Sequence, residues 1–139
     1  TNNIIKLERQ IKLFHRRLNN IRTNHINETT SKIIKLNPYR VVMEDLNVSG
    51  MMKNKHLAEK IAEQKFYEFK RQMKYKCQFN KIEFALADRW YPSSKACSCC
   101  KNIKKDLKLS DRTYICNECG LVIDRDKNAS INLGNYKLA

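Results

Sequence analysis

The apolar positions Ile4, Leu7, Ile11, Phe14, Leu18 and Ile21, followed by His25, recur at alternating steps of three and four. That is a heptad seam, and Lys6, Arg9, Lys12, Arg16, Arg17 and Arg22 lie among the intervening positions, so the spacing predicts a long basic helix over residues 4–36. The helix either runs on through Ile33, Ile34 and Leu36 or turns back near Asn24 to Asn27 as a hairpin. Asn37-Pro38 stops it, because the ring of a proline disfavours helical geometry in the residue before it. Tyr39 to Met43 is short, β-branched and apolar on successive residues, which predicts a strand covered on both faces with Glu44 following it. Residues 47–56 are polar, contain Gly50, and read as a loop. Leu57, Ile61, Phe69, Met73 and Cys77 step by multiples of four, with Ala58, Ala62 and Phe66 beside them, predicting one amphipathic helix over 57–77. Ile82, Phe84 and Leu86 alternate strictly within residues 81–87, the pattern of a half-buried strand. Beyond Asp126, Ala129, Ile131, Leu133 and Tyr136 predict a short last helix, weakened by Gly134.

The order helix, strand, helix, strand, cysteine module, helix makes an α/β chain without internal repeats. Residues 93–123 look like an insertion between a strand and the helix that would pack on it. This divides the sequence into 1–92, 93–123 and 124–139. At 139 residues the chain has room for one modest core and a small appendage. It begins at Thr1, inside a helical pattern, and is expected to be part of a longer protein.

Charge changes the picture most. Lysine and arginine number 28 against 14 acidic residues, a net charge of +14, and so large an excess on so short a chain points to a polyanionic partner, nucleic acid first. A membrane surface is the rival. No stretch approaches the roughly 18 uninterrupted apolar residues of a spanning helix, and no signal peptide opens the chain, so a cytoplasmic location is expected.

Four of the six cysteines fall in two pairs, Cys97-x2-Cys100 and Cys116-x2-Cys119, separated by fifteen residues. This is the spacing of a tetrathiolate zinc ribbon, in which two tight turns each present two thiolates to one tetrahedral ion. Gly120 suits the turn that closes the second pair. Four thiolates leave no open coordination position, so the zinc is expected to be a staple and not a reagent. Cys99 is a spare thiol; Cys100 restores the two-residue gap, and a register through Cys99 stays open. Cys77, on the apolar stripe of the second helix, is expected to be a small core residue.

Among the carboxylates, Glu44 follows an apolar run, where an ionised group is costly unless a cation or a donor meets it. The plain alternative is a strand-end carboxylate that reaches solvent or caps the next turn. Asp124 and Asp126 flank Arg125 before a helical run, a common place for an N-cap, and composition does not decide which of them turns inward. His15, His25 and His56 are scattered on basic segments and are expected to be surface or packing residues.

Four segments in order, Met43–Met51, Pro92–Cys100, Asp111–Gly120 and Asp124–Asn132, resemble the C-terminal half of the TnpB, or OrfB, family of transposon-encoded RNA-guided DNA nucleases, related to the type V CRISPR effectors. The resemblance is dense from Tyr39 onward. It implies a partial RNase H-like, RuvC-like fold with the zinc ribbon inserted. It also implies three acidic residues that bind two magnesium ions. Glu44 matches the second of them and Asp126 the third. The first should stand on a strand before the long helix, in an apolar-Asp-x-Gly context, which these residues do not contain. The implied partners are DNA and a guide RNA, and the implied location is the prokaryotic cytoplasm, at the nucleoid.

The leading expectation is therefore part of a magnesium-dependent DNA endonuclease, inactive as an isolated chain. A nuclease-dead zinc-ribbon DNA-binding protein and a zinc-stapled module pairing through its heptad face are the alternatives. DNA contacts are expected from Lys53, Lys55, Lys101, Lys104, Lys105 and Arg112, against the plain reading of a solvated basic face. Trp90 and Tyr91 follow a strand, and packing at a domain edge is preferred over stacking on bases.

Overall fold

A computed structural model describes residues 2–108 and 110–137. The chain forms two compact units, one of Thr1–Tyr39 with Asn47–Glu83, the other of Arg40–Leu46 with Phe84–Ala139.

The first unit is helical. Its α1, Asn2–Lys35, is a single 34-residue helix, so the hairpin near Asn24 to Asn27 does not form. The heptad seam is not its packing face: Ile4, Leu7, Ile11, Phe14, Leu18 and Ile21 are exposed, and the buried residues are Ile26 and Thr30. Arg22, Thr23, Ile26 and Thr30 step by one, three and four along another face, and it is the last part of this face that meets α4. Polar groups hold that contact. The Thr30 hydroxyl lies 3.1 Å from Gln72 Oε1 and accepts from Lys76 Nζ at 2.7 Å. Gln72 Nε2 donates to Glu68 at 2.8 Å, and Arg71 grips the same carboxylate with two nitrogens. A seam counted on apolar residues alone cannot see such a face.

Residues 47–56 hold a short helix, α2, Val48–Met52, where the polar composition predicted only a loop. Asn47 starts it by accepting from the Gly50 amide at 3.1 Å, an N-cap that local composition understates. The predicted helix over 57–77 is two helices, α3, Ala58–Gln64, and α4, Phe66–Phe79. Lys65 breaks it in a left-handed conformation, φ 49°, and its Nζ reaches Thr23 Oγ1 at 2.7 Å and the Asn19 carbonyl at 3.3 Å on α1. The stripe that predicted one helix still supplies the core, with Ile61, Met73 and Cys77 buried, although Leu57 is exposed.

In the second unit β1, Arg40–Glu44, pairs with β2, Glu83–Ala87. β1 is half-buried from Arg40 to Met43, exposed at Glu44, and not covered on both faces. The alternation in β2 is inverted from the expected one. Ala85 and Ala87 are buried and Leu86 is exposed, because small residues face the packed side and Ile82 is buried just before the strand begins. β3, Thr113–Ile115, and β4, Val122–Asp124, form an antiparallel hairpin with Tyr114 opposite Ile123. The last helix, α5, Arg125–Gly134, packs on β1, β3 and β4.

Candidate functional site

Two knuckles of nearly identical design carry the cysteine pairs. In each, the residue after the second cysteine donates its amide to the carbonyl of the first: Lys101 to Cys97 at 3.0 Å and Gly120 to Cys116 at 3.1 Å. That residue is left-handed in both, φ 65° at Lys101 and 73° at Gly120. Glycine takes this geometry freely and lysine at a cost. A return bond closes each turn, from the Cys97 amide to Asn102 and from the Cys116 amide to Leu121.

The four sulfur atoms converge to within 4.8 Å of one another, and Cys97–Cys119 and Cys100–Cys116 lie 3.6 Å apart. Four sulfurs at about 2.3 Å from a tetrahedral zinc would be about 3.8 Å apart, so the cluster has the size and donor chemistry to hold a metal ion such as zinc. The register runs through Cys100, and Cys99 stands exposed outside the cluster. All six cysteines are free thiols, and Cys77 is buried in the helical unit as expected, where burial pushes its thiol pKa up. The amide of Cys119, and after it that of Glu118, favour the thiolate of Cys116 and hold its pKa at about 6.

Tyr114 fills the space behind the cluster and is fully buried, with Leu107, Leu121 and Ile123 packed around it. Its hydroxyl donates to the Lys95 carbonyl at 3.1 Å. Burial, and then the neighbouring thiolates, push its pKa up to about 12, so it stays a neutral donor.

The acidic residues of the last motif divide their roles. Asp124 is the N-cap of α5, with Oδ1 accepting the amides of Asp126 and Lys127, each at 2.9 Å. Asp126 sits in the first turn with its side chain 76% exposed, 3.5 Å from Arg125 Nε. Glu44, at the exposed end of β1, accepts the Ser93 hydroxyl on Oε1 at 2.6 Å. Among the described residues, neither Glu44 nor Asp126 belongs to a group of three or more metal-ligating side chains.

Two asparagines of the last motif, to which its sequence pattern alone gave no role, bind these parts together. Asn128 and Asn132 are fully buried on α5 and donate to the Ala96 carbonyl. Asn128 Oδ1 also accepts the Ser98 amide at 2.9 Å, and Asn132 Nδ2 donates to the Ser93 carbonyl at 2.9 Å. Their spacing of four on a helix that starts at an acidic cap was the available signal.

The basic candidates differ in what they touch. Lys101 Nζ is turned onto the Ser98 carbonyl and Asn132 Oδ1, and Lys104 Nζ onto the Ile115 carbonyl at 3.2 Å. Lys105 and Arg112 are exposed on the cysteine module, and Lys53 and Lys55 are exposed in the helical unit. Tyr91 packs as expected, its ring edge-on to Tyr136 at 4.9 Å. Trp90 does not pack; it is 85% exposed.

Residues 66–133 match the family model described as Cas12f1-like, TNB domain. A Streptomyces pristinaespiralis protein named "Putative RNA-guided DNA endonuclease" is 34% identical over 128 residues, 92% of this chain and 31% of that protein. A TnpB-like protein of Acanthamoeba polyphaga mimivirus is 28% identical over 134 residues, 92% of this chain and 25% of its own length. The chain thus spans about a third or less of the curated relatives it matches. A solved Cas12f1–sgRNA–target DNA complex shares the fold with a TM-score of 0.74 at 22% identity, over 99% of this chain and 40% of that one. No helix among the described residues is long and apolar enough to cross a membrane.

Proposed function

We propose, from the premise that this chain belongs to the TnpB family and is related to the type V effectors, that it supplies the RuvC-like nuclease segments and zinc ribbon of a transposon-associated, RNA-guided, metal-dependent DNA endonuclease. In this reading residues 1–92 and 124–139 are the partial RuvC-like domain, and 93–123 the inserted ribbon. Cys97, Cys100, Cys116 and Cys119 hold zinc as a structural staple, since four thiolates leave no position for substrate. Glu44 and Asp126 are two of the acidic positions that hold magnesium in the whole protein. Magnesium bound there would supply the positive charge that activates an attacking water and stabilises the leaving oxygen in phosphodiester cleavage. The 139 residues carry two of the three acidic positions the family pattern implies, so they do not cut DNA alone. The partners are DNA and a guide RNA, in the cytoplasm of a prokaryote. Exposed Lys105, Arg112, Lys53 and Lys55 contact phosphates, whereas Lys101 and Lys104, turned onto protein carbonyls, contribute less.

One observation carries this reading. The loop between β2 and the first knuckle is tied by Ser93 to Glu44 and to α5, and the knuckle itself by Ser98 to α5, whose first turn bears Asp126. The ribbon therefore braces both carboxylate-bearing elements, which a free-standing zinc module would have no need to do.

The test is to graft these residues in place of the corresponding third of a TnpB relative and assay guide-directed, magnesium-dependent cleavage. Cleavage that is lost in Glu44→Ala and in Asp126→Ala supports the proposal. Cleavage that persists in either variant removes that residue from the metal site. DNA binding without cleavage by the unsubstituted graft would favour the binding-module alternative.

A further inference from the structure

The segment Asp88–Ser93 is fixed to the second unit at nearly every residue. The Asp88 amide donates to the Tyr136 hydroxyl at 3.0 Å, and Arg89 pairs with Asp45 at 3.2 Å. The Tyr91 hydroxyl donates to the Asn132 carbonyl at 3.1 Å, and the Ser93 hydroxyl donates to Glu44 at 2.6 Å. The turn itself is closed by the Trp90 amide on Asp88 Oδ1 at 2.7 Å and the Tyr91 amide on the Asp88 carbonyl at 3.0 Å. Within this pinned stretch Asp88 and Arg89 are exposed but engaged through their side chains, whereas the indole of Trp90 is 85% exposed and the next ring, Tyr91, packs on Tyr136. A large aromatic gains by burial, so a rigidly presented tryptophan is a surface prepared for a partner and not a loose packing residue.

Its position names the partner. Trp90 lies between the residue that holds Asp45 and the residue that holds Glu44, at the end of β1. On a chain with a net charge of +14, a flat π-face in the turn that leads to Ser93, the residue bonded to a candidate catalytic carboxylate, suits an unpaired nucleobase near the phosphodiester to be cut. We propose that Trp90 is a stacking platform for one unpaired base of a DNA strand, positioning that strand against Glu44. The inference rests on the DNA-nuclease reading, and Trp90 acts as a positioning residue, not a catalytic one.

Trp90 is the single tryptophan of the chain, so its fluorescence reports on it alone. The zinc-loaded chain is titrated with a labelled single-stranded DNA oligonucleotide, with the same oligonucleotide made abasic throughout, and with the matching RNA. Label anisotropy reads binding and indole quenching reads stacking. The expected result is strong quenching by the base-bearing DNA and little by the abasic strand at equal occupancy. Trp90→Ala should weaken binding of the base-bearing strand by roughly fivefold to a hundredfold, leave abasic binding unchanged, and be largely rescued by Trp90→Phe. DNA binding with no base-dependent quenching, or with equal affinity in Trp90→Ala, overturns the platform while leaving DNA binding intact. Quenching by RNA alone overturns the assignment to DNA. No binding of any strand overturns this inference together with DNA contact by the isolated chain, and leaves the cleavage test on the graft to decide the nuclease reading.

Discussion

Asn128 and Asn132, one turn apart on α5, both donate through Nδ2 to the carbonyl oxygen of Ala96, each at 2.7 Å. Ala96 immediately precedes the first cysteine, so a helix and a metal knuckle are joined through one shared acceptor. Both lone pairs of that carbonyl are used, and the remaining amide oxygens accept from Ser98 and Lys101. No buried side-chain polar atom among the described residues lacks a partner, which makes each member of this network costly to remove.

Asn128→Ala and Asn132→Ala should each destabilise the second unit by about 1–3 kcal/mol, because each truncation leaves buried backbone groups short of a partner. The double variant should cost more than the sum, since either asparagine alone still serves the shared Ala96 carbonyl and only the double loss leaves it without a donor. Denaturant unfolding of the zinc-loaded chain measures all three.

Metal content separates the cysteines. The chain should bind one zinc; Cys100→Ser should lose most of that affinity, whereas Cys99→Ser should keep it, because Cys99 lies outside the converging sulfurs. Elemental analysis and cobalt absorption spectra check both, and a chelator should abolish the near-ultraviolet signal of Tyr114 packed behind the cluster.

Glu68 sets an acid limit on the α1–α4 contact. Hydrogen bonds from Arg71, then Gln72, lower its pKa from 4.5 to about 2. A lowered carboxylate stabilises the fold fully above the unfolded value, and that contribution fades as pH falls from 4.5 toward 2, where the folded state also protonates. Glu68→Gln should therefore be less stable than the parent near neutrality, with the gap closing through this window. The difference between the two unfolding curves isolates Glu68 from zinc release, which affects both proteins alike.

Ser93→Ala removes the donor that orients Glu44 without touching the carboxylate itself. In the grafted nuclease it should raise the magnesium concentration needed for half-maximal cleavage by about tenfold, a typical effect of losing a hydrogen bond to a metal ligand. An unchanged magnesium dependence would mean that Glu44 does not act as a ligand, or that Ser93 does not position it.

Gly120→Ala should cost about 1 kcal/mol, all of it from the backbone. A Cβ there would meet nothing within 4 Å, but φ is 73°. Thermal unfolding with zinc in excess reads this directly.

The sequence by itself determined the elements whose signals are local. Cysteine spacing selected the converging sulfurs, Asn37-Pro38 ended α1 within a residue or two, and the acidic motif opened α5. Those features depend on neighbours a few residues away, which the sequence contains. Tertiary structure decided whatever depended on distant partners. Lys65 broke a predicted helix in a left-handed conformation, its ammonium bonded to α1. The α1 packing face fell on Ile26 and Thr30, the latter against Gln72 of α4, because a buried polar pair is stable only once both partners are assembled. β2 turned Ala85 and Ala87 inward and left Leu86 exposed, against the apolar alternation of its own sequence. Asp124 took the cap and left Asp126 outward, and Trp90 was left exposed by a turn whose other residues were all engaged. Periodicity shows which residues share a face, and only the assembled neighbours fix which face is covered.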